Sequence, residues 1–350
     1  MLKTIRKRNS SFELLRVVAM IMIVSSHLVL HGLTGSHIDV WVEGNLVNKL
    51  FVTFFQPGGR LGVALFFMIS GYFLNRRQKV SGVKKILFQG YFYGLVQLLI
   101  FLMLFIFSQF MVENINFKVV LEGALVPFSG SESNWWFLGT YIILMILVPG
   151  INYLINDYNL VNNVLIFGII YIIFRTVSSP FANIAQAIFY YVIGASISKK
   201  EFFYKKNRLQ LFFIFIFIWL LCCFTELVKN LESAEVFLIP HGNFLGKVSS
   251  FVESGLLIPS SAIILFILFS TFELNSNIIN KVAKSMFGVY LLSDGGVTRT
   301  LLWEKIFVID NQYKSAMFPL IVLIDLLVIF GVCIIVDEVR QKIETKIGRV

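Results

Sequence analysis

The feature that most constrains the fold is a series of apolar runs that recurs along the whole chain. Many of these runs contain roughly 18 to 25 residues, which is the length that a helix needs to cross about 30 Å of hydrocarbon. Hydrophobic residues make up 57% of the chain and charged residues only 14%, a composition that does not fit a soluble protein. We therefore expect an all-α fold, a polytopic bundle of transmembrane helices in the cell (cytoplasmic) membrane.

The runs predict about ten spanning helices in one domain that covers residues 1–350. The predicted spans are residues 12–30, 60–75, 86–111, 135–155, 161–176, 182–197, 209–227, 251–272, 286–301 and 316–338. An even number of spans places both termini on the same side of the membrane. Most of the 30 lysine and arginine residues then lie on that side, and the positive-inside rule makes it the cytoplasmic side.

Two regions of this map need a separate interpretation. Pro57, Gly58 and Gly59 should break any continuous helix before the second span, so residues 50–60 are expected to form a re-entrant or interfacial piece. The basic and then apolar N-terminus has the pattern of a signal peptide, but no small-residue cleavage site follows it. We therefore expect this segment to be retained as the first span.

The net charge of +10 does not indicate a nucleic-acid partner. The basic residues are grouped in short segments between the apolar runs and form no continuous basic face. We expect no nucleic acid to bind, and the lipid bilayer to be the main surrounding of the chain.

Arg16 and His27 are the most informative charged or titratable residues within the predicted spans. Eleven positions separate them, and at about 100° per residue this is about three turns, so both side chains project from one face of the first helix. Their separation along the helix axis is about 16 Å. Glu13, three residues before Arg16, is placed to pair with it and to fix its side chain.

The same residues also allow interpretations without catalysis. Arg16 could extend to the membrane interface, and His27 could form a hydrogen bond at the far end of the helix. His31 and His37 lie close enough in sequence to His27 to suggest a metal site, but no carboxylate or cysteine nearby completes a ligand set. We expect no metal.

Four sequence motifs appear in a fixed order and together resemble one protein family. Arg16 and His27 form an R-x10-H motif, and the segment 62–74, GVALFFMISGYFL, contains FFxxSG. The segment 134–152 contains WFL followed by a proline, and the segment 285–292 reads SMFGVYLL. In this combination the chain resembles the acyltransferase-3 family of integral membrane O-acyltransferases.

The resemblance implies an enzyme that moves an acyl group, most often acetyl. It makes His27 the catalytic histidine and Arg16 its companion, in contact with the acyl donor and held by Glu13. Acetyl-CoA on the cytoplasmic side is the implied donor, and a hydroxyl of a cell-surface polysaccharide or glycolipid on the other side is the implied acceptor. A neutral imidazole suits this chemistry because it can take the hydroxyl proton near neutral pH.

Further residues are expected to bind the substrate or the donor. Arg60 is predicted to contact the acceptor, Ser70 and the backbone at Gly71 to stabilise negative charge on the thioester oxygen, and Trp136 to anchor the protein at the interface or to stack on a sugar. A group of basic residues is expected to bind the CoA phosphates, although basic loops of this kind also follow from topology alone. This group contains Arg76, Arg77, Lys84 and Lys85.

The chain departs from the family pattern at two positions. Family members often have a histidine directly after the late YL segment, where this chain has Ser293 followed by Asp294. The loop after the second span usually carries arginines, where this chain has Lys84 and Lys85. The residue that takes over the role of the late histidine is therefore open.

A transporter or flippase for a polysaccharide or a lipid-linked sugar is the alternative function. Both classes need charged cavities inside the membrane. A transporter is expected to show inverted repeats or matching broken spans in its two halves, and the sequence shows neither clearly. A polytopic scaffold or sensor is a third interpretation, supported only by hydropathy.

Overall fold

A computed structural model describes residues 9–33, 43–107, 115–128, 135–156, 160–176, 181–198, 207–233 and 244–346. Over these ranges the protein is helical and contains no strand. The helices are α1 (Ser10–Gly32), α2 (Leu46–Phe55), α3 (Gly58–Leu74), α4 (Val83–Phe107), α5 (Phe117–Leu125), α6 (Trp136–Asn156), α7 (Leu160–Thr176), α8 (Ala182–Ile197), α9 (Arg208–Ser233), α10 (Phe244–Val252), α11 (Ile258–Ser270), α12 (Asn277–Lys284), α13 (Met286–Ser293), α14 (Gly296–Thr300), α15 (Ile309–Tyr313) and α16 (Phe318–Lys346). A π-helical segment joins α10 to α11, and a second one follows α14.

Within these ranges, 7 helical units are long and apolar enough to cross a membrane, so the chain is a multi-pass membrane protein. They are Ser10–Gly32, Leu46–Leu74, Val83–Phe107, Trp136–Ile155, Arg208–Asn230, Gly246–Ser270 and Phe318–Lys346. The predicted spans 161–176 and 182–197 are present as apolar helices, but they are shorter than these units. The count of ten spans is therefore not confirmed.

The prediction of one continuous span over residues 286–301 is wrong. Helix α13 ends at Ser293, and Gly295 has an extended backbone with φ −70° and ψ 147° before α14 begins. Gln97 of α4 accepts a 3.0 Å hydrogen bond from the backbone N–H of Thr298 and occupies the space that a Cβ at Gly295 would need. The break is thus stabilised by packing, because Gln97 replaces a hydrogen-bond partner that a continuous helix would supply.

The interruption predicted at Pro57 is present between α2 and α3. Gln56 and Pro57 nevertheless keep right-handed dihedral angles, with φ −55° and ψ −47° at Gln56 and φ −74° and ψ −8° at Pro57. The two helices together form the apolar unit Leu46–Leu74 of 29 residues. By length and composition, residues 50–60 fall within this candidate spanning unit, and their placement at the interface stays a prediction.

Helix α3 lies at the centre of the bundle, between α1 and α8. Glycines allow the close approach: Gly62 faces the backbone of α1, Gly71 lies against the carbonyl of Tyr191, and Gly194 lies against the carbonyl of Met68. Without a hydrophobic driving force between helices in lipid, small residues at such crossings supply the contact area that holds helices together. This crossing fixes the position of α1 and α3, which carry most of the predicted site.

The beginning of α1 and the C-terminal part of α16 lie at the same end of the bundle. The Ser10 hydroxyl donates a 3.0 Å hydrogen bond to Asn280 of α12, and Lys281 of α12 forms a 2.8 Å ion pair with Glu338 of α16. This arrangement is the one expected if the two termini share a side. The assignment of that side to the cytoplasm stays a prediction.

We predict that Gly194→Ala destabilises the protein by about 1–3 kcal/mol, because the new Cβ overpacks a backbone contact. In a thermal unfolding experiment on the detergent-solubilised protein, the midpoint should fall by several degrees. Gly331→Ala in α16 is the matched control, since no atom lies within 4 Å of its Cβ position. Equal midpoints for the two variants would contradict the close α3–α8 crossing.

Candidate active site

Arg16 and His27 lie on one face of α1, and each lines a different cavity. His27 lines a cavity of about 360 Å³, here called the histidine cavity, together with Arg60, Trp136 and Arg175. Arg16 lines a cavity of about 560 Å³, here called the cationic cavity. The separation of about 16 Å along one helix face therefore corresponds to two distinct sites.

The His27 ring faces a carboxylate at the helix break, without a hydrogen bond between them in this structure. Its Nδ1 lies 3.5 Å from Oδ1 of Asp294, which is longer than an ordinary hydrogen bond but within the range that apo active sites show. The His27 side chain is 16% exposed, and Nδ1 is buried. The other ring nitrogen, Nε2, therefore provides the accessible side that faces the histidine cavity.

Three side chains gather around the same oxygen of Asp294. His31 Nε2 lies 3.8 Å and Arg299 Nε 3.2 Å from Oδ1, in addition to His27. Arg299 also donates a 3.0 Å hydrogen bond to the Asp294 backbone carbonyl. A buried carboxylate requires partners of this kind, since an isolated one is too costly to keep ionised in an apolar surrounding.

The break between α13 and α14 is what places this carboxylate. Asp294 directly follows α13 and keeps its backbone N–H bonded to the carbonyl of Tyr290, 3.0 Å away. Asp294 stands next to the position at which the family often has a histidine. From the sequence, this position shows only that the chain differs from the family pattern. In the structure, Asp294 lies next to the predicted catalytic histidine, His27.

The histidine cavity has aromatic and amide groups in its wall. Trp136, Tyr171 and Tyr190 contribute aromatic rings, and Asn183 and Gln186 contribute amides. Aromatic faces next to a few hydrogen-bonding groups are common in small-molecule sites. Trp136 thus lies at the predicted acceptor side.

Arg60 reaches the same cavity from the beginning of α3, backed by a buried ionic cluster. Its guanidinium lies 2.6 Å from Glu253 and 3.3 Å from Glu226. Lys229 pairs with both glutamates, at 2.7 Å from Glu226. Glu253 opens the π-helical segment before α11. The carboxylates of Glu226 and Glu253 therefore balance most of the charge on Arg60. They also fix its position, because they belong to α9 and to the π-helical segment before α11.

The cationic cavity collects basic side chains from several helices. Its wall contains Arg16, Arg77, Lys85, Lys284 and Arg340, and no aspartate or glutamate among the residues that the structure describes. Some of these basic side chains form ion pairs with carboxylates that do not line the cavity. Within the described ranges, Arg77 and Lys284 have no ion pair, so positive charge remains in excess.

Arg340 is the least exposed of these cations, with a side chain that is 2% exposed. It pairs with Asp337 at 2.7 Å and with Glu344 at 2.6 Å. Asp337 also accepts a 2.8 Å hydrogen bond from the Tyr93 hydroxyl. Arg340 and Lys284 are site residues that the sequence did not single out, because a basic residue near a helix end is also what topology alone predicts.

The remaining predicted residues are distributed differently. Arg77 and Lys85 line the cationic cavity, whereas Arg76 lines a separate cavity with Asn152 and Lys84 is exposed outside these cavities. Neighbouring residues of one basic segment thus point in different directions, which a count of charges cannot show.

Ser70 and Gly71 also have defined surroundings. The Ser70 hydroxyl donates a 2.9 Å hydrogen bond to the Phe66 carbonyl and lies 3.1 Å from the Tyr141 hydroxyl, at the wall of the cationic cavity. Its proton is thus engaged within α3. Gly71 contacts the backbone of α8, so its lack of a side chain serves helix packing.

The predicted pair between Glu13 and Arg16 is present, since the Arg16 guanidinium donates a hydrogen bond to the Glu13 carboxylate. Glu13 is buried, so it holds Arg16 at the wall of the cationic cavity from inside the protein.

The fold is that of a multi-pass membrane protein with two polar cavities that share one side of α1. The sequence profile of the acyltransferase-3 family, described as an acyltransferase domain, matches residues 9–338, essentially the whole chain. The chain belongs to this family and is a membrane acyltransferase. No curated protein and no solved structure matches it.

We predict that the cationic cavity binds the acyl donor and that Arg77→Gln therefore raises the KM for acetyl-CoA about tenfold, which corresponds to the loss of one charge-assisted hydrogen bond of about 1.5 kcal/mol. Steady-state transfer assays in membranes, with acetyl-CoA varied, measure this effect. Arg76→Gln is the matched control because it removes the same charge one position away, outside the cationic cavity. If both variants raise KM equally, the loop acts only through its net charge.

We predict that Asp294→Asn lowers kcat about 100-fold or more, because the imidazolium that forms on His27 loses its carboxylate. The KM for acetyl-CoA should stay close to the wild-type value, since Asp294 lies outside the cationic cavity. Asp325→Asn is the control, as Asp325 is also a buried aspartate in a span. A change in KM alone would show that Asp294 has a different role.

Proposed function

We propose that this protein transfers an acetyl group from acetyl-CoA, bound at the cationic cavity, to a hydroxyl of a cell-surface polysaccharide or glycolipid, bound at the histidine cavity. The observation that carries the proposal is His27, which lines a polar cavity and has Asp294 3.5 Å behind Nδ1. A histidine with a carboxylate partner is the usual arrangement of a general base. Family membership supplies the reaction class.

The chemical step follows from this pair. Nε2 of His27 takes the proton of the acceptor hydroxyl while the hydroxyl oxygen attacks the thioester carbonyl carbon. A C–O bond forms, the C–S bond breaks, and the CoA thiolate takes the proton from the imidazolium. Asp294 keeps the ring in the required tautomer and stabilises the transient positive charge.

The cationic cavity fits the donor because CoA carries phosphate groups. Arginine and lysine side chains bind phosphates through charge-assisted hydrogen bonds, and the wall offers five such side chains from four helices and the loop that follows α3. Glu13 and Glu344 hold Arg16 and Arg340 in place from behind. These cations are therefore preorganised for an anion.

The histidine cavity fits a sugar acceptor because it combines aromatic rings with amide side chains. Trp136, which is 36% exposed, can stack against the apolar face of a sugar ring, and Gln186 can form hydrogen bonds to hydroxyl groups. Arg60, fixed by Glu253, can bind an oxygen of the acceptor or the carbonyl oxygen as negative charge develops on it.

The distribution of basic residues supports an orientation in the cytoplasmic membrane. The cationic cavity lies at the end of the bundle that contains the beginning of α1 and the C-terminal part of α16. In the sequence, Lys3, Arg6, Lys7 and Arg8 precede α1, and α16 ends with Arg340, Lys342 and Lys346. Under the positive-inside rule this end faces the cytoplasm, where acetyl-CoA is made. The acceptor then binds from the opposite face.

We predict that His27→Gln abolishes detectable acetylation, because general base catalysis contributes about 10²- to 10⁴-fold. The measurement is mass analysis of the surface polysaccharides of cells that produce either protein, scored for the mass of one acetyl group. Immunoblots of the membranes must show equal amounts of the variant and the wild type. A variant that is present at the normal level and still acetylates its glycan would exclude His27 as the base.

A further inference from the structure

The histidine cavity and the cationic cavity share part of their walls. Phe66 of α3, Phe137 of α6 and Phe287 of α13 line both cavities, and we call these three side chains the aromatic layer. The ring centroid of Phe137 lies 6.1 Å from that of Phe66 and 6.3 Å from that of Phe287. The two cavities are thus neighbours, separated by rings in contact with one another.

The aromatic layer is apolar and supported on both sides. Phe66 and Phe137 are 8% and 5% exposed, and Phe137 also contacts the rings of Tyr141 and Tyr290, at 5.8 Å and 5.6 Å. None of the three phenylalanine side chains can form a conventional hydrogen bond. A charged group that entered the layer would lose its hydration without gaining a partner, which is strongly unfavourable.

This arrangement separates the two ends of the donor. The phosphates of CoA are held by cations on one side of the layer, and His27 lies on the other side. The reacting thioester must nevertheless come within about 3–3.5 Å of the acceptor oxygen. The acyl group and the thin uncharged arm that carries it therefore have to pass the position that the phenylalanine rings occupy.

We infer that the aromatic layer is the passage for the acyl group and selects small uncharged acyl chains, above all acetyl, over longer or anionic ones such as butyryl or succinyl. This inference rests on the proposed function and names the donor class of that same site. Phe287 is the movable member, since it is only half-buried whereas Phe66 and Phe137 are buried. Each additional methylene that an apolar site rejects changes the rate by about 10- to 200-fold.

The transfer step itself is unchanged by this inference. The hydroxyl oxygen forms a bond to the carbonyl carbon, the C–S bond breaks, and the proton moves from the hydroxyl through His27 to the CoA thiolate. The layer contributes only space and an apolar surrounding. Its effect is therefore visible in the choice between acyl groups and not in the kind of reaction.

The experiment supplies acetyl-CoA, butyryl-CoA or succinyl-CoA to membranes that contain the protein and its own glycan acceptor. Mass spectrometry of the glycan then gives the ratio of butyryl to acetyl transfer, which does not depend on the amount of folded protein. We expect Phe287→Ala and Phe66→Ala to raise this ratio at least tenfold and to leave succinyl transfer low, because the enlarged passage stays apolar.

Phe266→Ala is the matched control. Phe266 is fully buried in contact with the rings of Phe12 and Tyr72, and it lines neither cavity. Its substitution should leave the ratio at the wild-type value. An equal rise in the control would show a general loosening of the bundle and would overturn the inference.

The two proposals fail in different ways. If the wild type transfers acetyl and both Phe287→Ala and Phe66→Ala keep its butyryl-to-acetyl ratio, the inference is overturned and the proposed function stands. If the wild type transfers no acyl group from any of the three thioesters, the proposed function fails and the inference fails with it.

Discussion

A charged side chain inside the bundle needs either a partner within the protein or a polar cavity, because hydrocarbon offers neither. This constraint explains why the polar residues occur in groups that join distant helices. Asp294 gathers His27 and Arg299, Arg60 reaches Glu226 and Glu253, and Asp337 joins Arg340 of its own helix to Tyr93 of α4. Each group ties helices together and, at the same time, orients a side chain towards a cavity. Stability and chemistry therefore depend on the same contacts.

The helical class and the relation between Arg16 and His27 could be predicted from the sequence, since both follow from helix geometry and the thickness of a bilayer. The break at Gly295 could not, because it depends on Gln97, nearly two hundred positions away. The contact of Asp294 with His27 depends on this break, so it could not be predicted from the sequence either.

The basic segments show a second limit of prediction from sequence. Arg76 and Arg77 are neighbours with the same charge, yet they line different cavities, because both lie in the turn that follows α3 and their side chains diverge there. The sequence around Arg340 indicates only a basic helix end, whereas its buried pairs with Asp337 and Glu344 mark it as part of a built site. Residue type shows that a charge is present, whereas the tertiary contacts decide what the charge faces.

The short helix α13 connects the aromatic layer to the carboxylate that faces His27. Phe287 lies near its beginning and Asp294 directly follows its end, about two helical turns apart and therefore on nearly the same side. A helix of 8 residues behaves as one stiff rod, so any tilt that moves the Phe287 ring away from Phe137 also displaces the carboxylate behind His27. A tilt of α13 would therefore change the aromatic layer and the position of Asp294 together, whereas rotation of the Phe287 side chain alone would leave Asp294 in place.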